Sequence, residues 1–181
     1  MTGAGGSVAR LGTDRTFLPD PADPAWVRGR RLYTGAADGG HWLAAFRALS
    51  EAGCGRAALL DYLHRSCELA EQVSPAAGLA LGTAAASVAR TAGVRAADGL
   101  IQVAPKVARL TSPPEQFERW CDVMRDLAAM APESAGVLAD HAEGLMAELD
   151  VAGFRAWALT GVRAAGNDPV ARFAFFSAAD P

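Results

Sequence analysis

The sequence is poor in the features that mark several common protein classes. Its 181 residues include 3 cysteines, an odd number that does not resemble a disulfide framework. No stretch approaches the roughly 18 uncharged apolar residues of a membrane-spanning helix. Residues 1–12 are Gly-rich and lack the apolar segment of a signal peptide. We therefore expect a cytoplasmic protein without a membrane span.

Runs of like charge are also missing. The chain carries 17 basic and 20 acidic residues, for a net charge of -3, so the electrostatic footprint of a nucleic-acid binder is absent. The nearest candidate is a cluster of Arg28, Arg30 and Arg31, which we interpret as a solvated helix face. Ile, Thr and Tyr are few, which disfavours β-structure. Apolar residues make up 51% of the chain and are mostly Ala, Leu and Val, which predicts a packed helical core.

The chain divides into a flexible N-terminal arm, residues 1–23, and a helical-repeat domain, residues 24–181. The arm is rich in Gly, Pro and Asp and shows no period. In the helical-repeat domain, glycines and N-cap residues followed by proline mark the predicted helix boundaries. These signals are a turn over 35–40, the Gly53–Gly55 break, caps at Ser74-Pro75 and Asp168-Pro169, a stop at Gly93, and a capping box over 112–115. The predicted helices are 24–34, 38–52, 55–72, 75–92, 95–110, 113–130, 132–149, 151–166 and 169–178. Pro105 should kink or split its helix.

An internal repeat organises this domain. Phe117, Trp120 and Pro132 recur 37 residues later as Phe154, Trp157 and Pro169. The first helix of each predicted hairpin also carries matching residues at positions i, i+3, i+4 and i+7. Residues with this spacing lie on one buried face of a helix. The matching sets are Trp42, Ala45, Phe46 and Leu49; Phe117, Trp120, Cys121 and Met124; and Phe154, Trp157, Ala158 and Gly161. The copy expected near Leu79 and Gly82 is weaker, with an apolar stripe displaced to Leu81, Ala85 and Val88.

The second helix of each hairpin aligns through Leu63, Leu100, Leu138 and Phe175. A single hairpin cannot bury its stripe alone, so neighbouring hairpins must stack. The sequence therefore predicts an all-α array of about four helical hairpins, either an α-solenoid of the HEAT type or an irregular helical bundle. We expect the repeated Trp and Phe side chains to be core residues.

No catalytic constellation emerges. His64 and Cys67 lie three residues apart on one predicted helix, but a zinc site would need another ligand and Cys54 is the nearest candidate. His141 has Asp140 and Glu143 close by, which would suit acid–base chemistry, yet it borders the Leu138 stripe. No catalytic, cofactor-binding or metal residue is therefore assigned, and we expect a protein that is not an enzyme.

The last two hairpins resemble a known family. Segments 117–120, 154–161 and 168–177 are similar to the W-x3-G … A-x-x-F-F/Y-F repeats in the N-terminal helical region of NorD/CbbO-type proteins. These are the nitric-oxide-reductase and rubisco activation proteins that pair with a MoxR-type AAA+ ATPase. The resemblance covers 113–178 by motif and 38–110 by periodicity. It implies that the array docks onto the ATPase or onto its target enzyme.

The chain departs from that family in one respect. The family carries a von Willebrand factor A domain with a metal-binding D-x-S-x-S loop, and no such motif occurs here. The chain also stops soon after the Phe-rich helix, so either it is a fragment or stand-alone relative, or a partner covers the exposed Phe edge; self-association through that helix is a further expectation.

We therefore expect a non-catalytic protein-interaction scaffold that binds no nucleic acid. The first alternative is a small-molecule or cofactor-binding helical bundle with a cavity lined by Trp42, Trp120 or Trp157. The second is an enzyme using the region of His64 and Cys67.

Overall fold

The computed structural model describes residues 19–178, apart from the side chain of Ala36. Within that range the chain forms helices and no strand, which confirms the all-α prediction. The helices are α1 (Pro24–Leu32), α2 (Ala36–Glu51), α3 (Arg56–Gln72), α4 (Pro75–Thr91), α5 (Val94–Leu110), α6 (Pro114–Met130), α7 (Ala135–Glu148), α8 (Val151–Ala165) and α9 (Pro169–Ser177). A 3-10 turn, Pro132–Ser134, precedes α7. Residues 1–18 of the predicted arm lie outside the described range, and Pro19 is buried.

Most helices begin and end at the predicted signals. Ser74 Oγ accepts a hydrogen bond from the amide of Ala77 at 3.1 Å, as an N-cap should. Asp168 does the same for the amide of Val170 at 2.9 Å. Gly53 and Gly93 adopt φ values of 91° and 93°, a left-handed conformation that glycine adopts without the strain of a Cβ atom. The sequence signals therefore set the helix boundaries directly.

Two local predictions are wrong, and one of two alternatives at Pro105 is removed. The turn predicted over 35–40 is shorter, because α2 already begins at Ala36. The capping box at 112–115 does not form: Pro113 occupies the N-cap position, so Ser112 lies one residue too early to cap α6. The helix with Pro105 is not split, since α5 continues to Leu110 with the proline buried among its neighbours. A bend at Pro105 stays a prediction.

The helices pack in two rows. The odd helices lie side by side in the order α1, α3, α5, α7, and the even helices in the order α2, α4, α6, α8, while α9 packs mainly against α8. Each hairpin therefore contributes one helix to each row, as a helical-repeat array requires. α4 packs against α2, α3, α5 and α6. Since α4 is covered on several sides, its apolar residues do not form one simple stripe, which explains the weak repeat copy.

The predicted stripes form the core. The repeat residues of α2 and α6 are all buried, as are Leu63, Leu100 and Leu138 of the odd helices. In α4, the displaced stripe Leu81, Ala85 and Val88 is buried as well. The C-terminal end differs: Trp157 is half-buried, and Phe176 rather than Phe175 is the fully buried residue of α9. Core packing is thus confirmed as the role of most repeat residues.

The last helix leaves apolar side chains uncovered. Val170 is 74% exposed and Phe173 is 49% exposed. In the same helix, Phe176 is fully buried. None of the helices in residues 19–178 is long and apolar enough to cross a membrane.

Candidate binding surfaces

An aromatic cluster joins α1, α2 and α3 at the N-terminal end. The ring centroids of Trp26 and Trp42 are 5.3 Å apart, and those of Tyr33 and Trp42 are 5.4 Å apart in a stacked arrangement. Phe46 meets Trp26 edge-on at 6.0 Å. Gly29 permits this packing, because a Cβ atom there would overlap the indole of Trp42. The cluster therefore depends on one glycine and on rings from two helices.

A buried hydrogen-bond network fixes these rings. Trp42 Nε1 donates to Ser66 Oγ at 2.9 Å, and the Tyr33 hydroxyl donates to the Ser66 carbonyl oxygen at 2.9 Å. The Tyr62 hydroxyl donates to the Trp42 carbonyl oxygen at 3.3 Å. Burial raises the pKa of Tyr33 and that of Tyr62, so both phenols stay protonated and act as donors.

A cleft of about 440 Å³ opens beside this cluster, between α1 and the start of α2. It is lined by Trp26, Arg30, Tyr33, Thr34, Gly35, Gly39, Gly40, Trp42 and Leu43. Arg30 is exposed and makes no ion pair with another described residue. The neighbouring Arg28, by contrast, pairs with Glu71 across to α3 and lowers the pKa of that carboxyl. The cleft thus combines an apolar aromatic wall with one uncompensated cation.

A second groove, of about 530 Å³, runs over α3, α5 and α7 of the odd row. Its charged lining residues are three basic and three acidic: Arg65, Arg95, Lys106, Asp98, Asp140 and Glu143. Lys106 Nζ pairs with Glu143 at 2.6 Å. Arg95, Asp98 and Asp140 make no ion pair with another described residue. This charged groove therefore offers unpaired charges of both signs.

Ion pairs and hydrogen bonds tie the odd row together step by step. Arg28–Glu71 joins α1 to α3, Arg109–Glu68 joins α5 to α3 at 3.4 Å, and Lys106–Glu143 joins α5 to α7. Arg172 then links α9 to Glu133 of the 3-10 turn at 3.1 Å. In the even row, α4 carries a single charged residue, Arg90, whereas α6 carries charges of both signs.

The candidate zinc ligands are not brought together. His64 is exposed, whereas Cys67 is fully buried and donates its thiol to the Ala25 carbonyl at 3.6 Å. Cys54 is also buried. Within the described range, no group of three or more His, Cys, Asp and Glu side chains is arranged to hold a metal ion. Burial raises the pKa of the Cys67 thiol to about 11, so it is protonated and unreactive at neutral pH.

The residues considered for acid–base chemistry lie on α7. His141 is half-buried beside the Leu138 stripe, as its sequence position suggested. Asp140 and Glu143 both line the charged groove, where Glu143 is engaged by Lys106. These residues contribute to a polar surface on α7.

Sequence reasoning missed most of the aromatic cleft. Trp42 was identified as a repeat residue, but Trp26, Arg30 and Tyr33 of α1 were not singled out for binding. A local signal existed: Trp26, Gly29 and Tyr33 lie at i, i+3 and i+7, which places two aromatics and a glycine on one helix face. Tyr33 and Trp42 both bind Ser66, which lies 33 residues after Tyr33, and this contact depends on tertiary packing.

No family model, curated protein or solved structure matches the chain.

Proposed function

We propose that the protein is a non-catalytic interaction scaffold and the adaptor part of a MoxR-type AAA+ ATPase-dependent enzyme activation system. The observation that carries the scaffold role is the charged groove over α3, α5 and α7, which presents unpaired charges of both signs. The ATPase partner rests on the resemblance of segments 117–120, 154–161 and 168–177 to NorD/CbbO-type proteins, which is an argument by analogy.

The chemistry of the array favours binding over catalysis. All three cysteines are buried, and most of the described Trp and Phe side chains are packed in the core. Cys67 is held as a neutral thiol, because burial raises its pKa to about 11. What remains on the surface of the odd row is a polar face that successive hairpins extend.

The charged groove suits a protein partner with a complementary pattern of charges. Its unpaired groups include one cation, Arg95, and the carboxylates Asp98 and Asp140. Mixed charges fix the register of a protein complex and exclude partners that place like charges opposite each other.

The test is a binding measurement between the full chain and the purified MoxR-type ATPase of the same genome, by biolayer interferometry at low and moderate salt. We expect a complex whose affinity falls at least about tenfold in Arg95→Glu, because a favourable charge becomes a repulsive one. Arg47→Glu is the matched control: Arg47 is exposed on α2 of the even row and lines no part of this groove.

Equal losses in the two variants would place the interface elsewhere and remove the groove from the proposal. A wild-type chain that forms no complex with the ATPase, alone or with its target enzyme, would contradict the adaptor role.

A further inference from the structure

We propose that the cleft between α1 and α2 is a binding site for a planar aromatic ligand that carries one carboxylate or phosphate group. The charged groove is separate from it, since no residue lines both. The ligand site is therefore a property in addition to the scaffold role and does not depend on it.

The dimensions of the cleft suit a small molecule. Its volume of about 440 Å³ falls in the range of roughly 300–1,000 Å³ that is typical of small-molecule sites. One wall is the indole of Trp26, whose centroid lies 5.3 Å from that of Trp42 with the planes inclined by 34°. Trp42 is only 1% exposed, so it supports Trp26 from behind. Trp26 is half-buried, so part of its ring surface remains available to a ligand. An aromatic ring is the group that such a wall favours, through stacked or edge-to-face contact.

The charge of the cleft selects an anion. Among the described residues, Arg30 is the one charged side chain that lines the cleft, and no carboxylate of residues 19–178 lines it. An aromatic site for a quaternary ammonium group would need the opposite arrangement, because Arg30 repels a cation. The guanidinium of an arginine binds a carboxylate or a phosphate through two parallel N–H bonds. Its neighbour Arg28 is unavailable for this purpose, since Glu71 already binds it.

The wall is formed before any ligand arrives. Trp42 is fixed by the hydrogen bond from its Nε1 to Ser66 Oγ at 2.9 Å, and Tyr33 by the bond from its hydroxyl to the Ser66 carbonyl at 2.9 Å. Gly29 allows α1 to approach Trp42 closely. A ligand therefore meets a Trp26 ring whose packing partners are already ordered, which reduces the entropy lost on binding.

Two glycines of α2 line part of the cleft. Gly39 and Gly40 of α2 line it without side chains. A Cβ atom at Gly39 would come within 2.8 Å of the Tyr33 carbonyl oxygen, so this glycine is needed for the fold. At Gly40 a Cβ atom would meet no atom within 4 Å. Gly40 is therefore the position at which a larger side chain can narrow the cleft without disturbing the core.

The experiment is isothermal titration of the full chain with four probes. Naphthalene-2-carboxylate and 2-naphthyl phosphate carry the ring and the anion, 2-naphthalenemethanol carries the ring alone, and inorganic phosphate carries the anion alone. We expect the two aromatic anions to bind at least about tenfold more tightly than the neutral alcohol, which lacks the charge-assisted bonds. The difference between the carboxylate and the phosphate identifies the preferred anion. Inorganic phosphate should bind too weakly to measure.

Two pairs of variants locate the binding. Arg30→Ala should weaken the aromatic anion at least about tenfold and leave the neutral alcohol unchanged, because only the charged contact is lost. Arg31→Ala is its matched control: it removes the adjacent exposed cation of α1, which does not line the cleft. Gly40→Leu should abolish binding of the aromatic anion, whereas Gly40→Ala should stay close to the wild type.

Three results would overturn the proposal. One is an aromatic anion that does not bind at millimolar concentration, and another is a neutral alcohol that binds as tightly as the anions. The third is equal weakening by Arg30→Ala and Arg31→Ala, which would indicate a diffuse electrostatic effect. Circular dichroism of each variant shows whether it is folded, and a folded Gly40→Leu that binds like the wild type also contradicts the site.

Discussion

The two ends of the helical array use similar aromatic side chains and are completed differently. At the N-terminal end, α1 packs across α3, and Trp42 and Tyr33 are both buried and hydrogen-bonded to Ser66. At the C-terminal end, Trp157 stacks among Phe154, Phe175 and Phe176 with centroid separations of 5.4 to 6.4 Å.

The two ends also differ in how much apolar surface they expose. Val170 and Phe173 of α9 are 74% and 49% exposed, whereas Tyr33 and Ala25 of α1 are buried. Hydrogen bonds have strict geometry, while ring contacts tolerate displacement. The aromatic rings of the N-terminal end are therefore fixed by buried hydrogen bonds. Those of the C-terminal end are held by apolar contact, with α9 tied down by Arg172 through its ion pair with Glu133.

The largest expected difference is between a repeat phenylalanine and an edge phenylalanine. Phe117 is fully buried in α6, so Phe117→Ala should lower the free energy of unfolding by about 3–5 kcal/mol through the cavity it leaves. Phe173→Ala removes a ring that is half exposed and should cost about 1 kcal/mol or less. Urea denaturation of the two variants measures both values. Similar losses would mean that Phe173 is covered in solution.

A smaller difference is expected between two glycines at close helix contacts. A Cβ atom at Gly78 of α4 would lie 2.6 Å from the Ser66 carbonyl oxygen and would overlap the Tyr33 hydroxyl. Gly78→Ala should therefore destabilise by about 3 kcal/mol, since backbone has to move.

The counterpart at the other end is Gly161, where a Cβ atom would overlap Phe175 and lie 2.9 Å from the ring of Phe176. These are side-chain rather than backbone atoms and can shift, so Gly161→Ala should cost about 1 kcal/mol. Gly40→Ala is the control, with open space around the new methyl and an expected gain of about 0.5 kcal/mol. Thermal unfolding ranks the three, and the reverse order for Gly78 and Gly161 would show that the N-terminal end is the more adaptable one.

Two buried indoles give a third comparison. Trp42 Nε1 donates to Ser66 Oγ, whereas the equally buried Trp120 Nε1 has no hydrogen-bond partner among the described residues. Trp42→Phe and Trp120→Phe remove the same volume, but only the first removes a hydrogen bond. Trp42→Phe should therefore be about 1 kcal/mol more destabilising. Equal losses in chemical denaturation would mean that the Ser66 contact contributes nothing net.

The helices and their stripes were predictable because they depend on local signals. Proline after Ser74 or Asp168 fixes a helix start, and Gly93 fixes a stop, whatever the rest of the chain does. The cleft was not predictable in the same way. It requires Trp26 of α1, Trp42 of α2 and Ser66 of α3 to converge, and no local pattern encodes the angle at which helices cross. The capping box failed for a local reason, since Pro113 took the N-cap position that Ser112 was expected to fill.

Alkaline pH should weaken the N-terminal end. Burial raises the pKa of Cys67 to about 11 in the folded protein, compared with about 8.5 for a cysteine in an unfolded chain. Because the folded pKa is the higher one, this contribution to stability is complete below about pH 8.5 and is lost as the pH rises towards 11.

The free energy of unfolding should therefore fall between pH 8.5 and 11, and Cys67→Ala should reduce that fall. Urea midpoints at several pH values test this prediction. A slope that is unchanged in Cys67→Ala would mean that the thiol is accessible to water, which contradicts its burial in the α1–α3 contact.

Native-state hydrogen exchange tests the difference between the two ends most directly, because α1 and α9 are both nine residues long and both terminal in the described part of the chain. The expected order in the monomeric protein is slowest exchange in the central helices α4 and α5, intermediate exchange in α1, and fastest exchange in α9. The protection of α1 should drop in Ser66→Ala, which removes the acceptor of Trp42. A monomer in which α9 is as well protected as α4 would contradict the account of an N-terminal end fixed by buried hydrogen bonds and a C-terminal end whose rings are held by apolar contact.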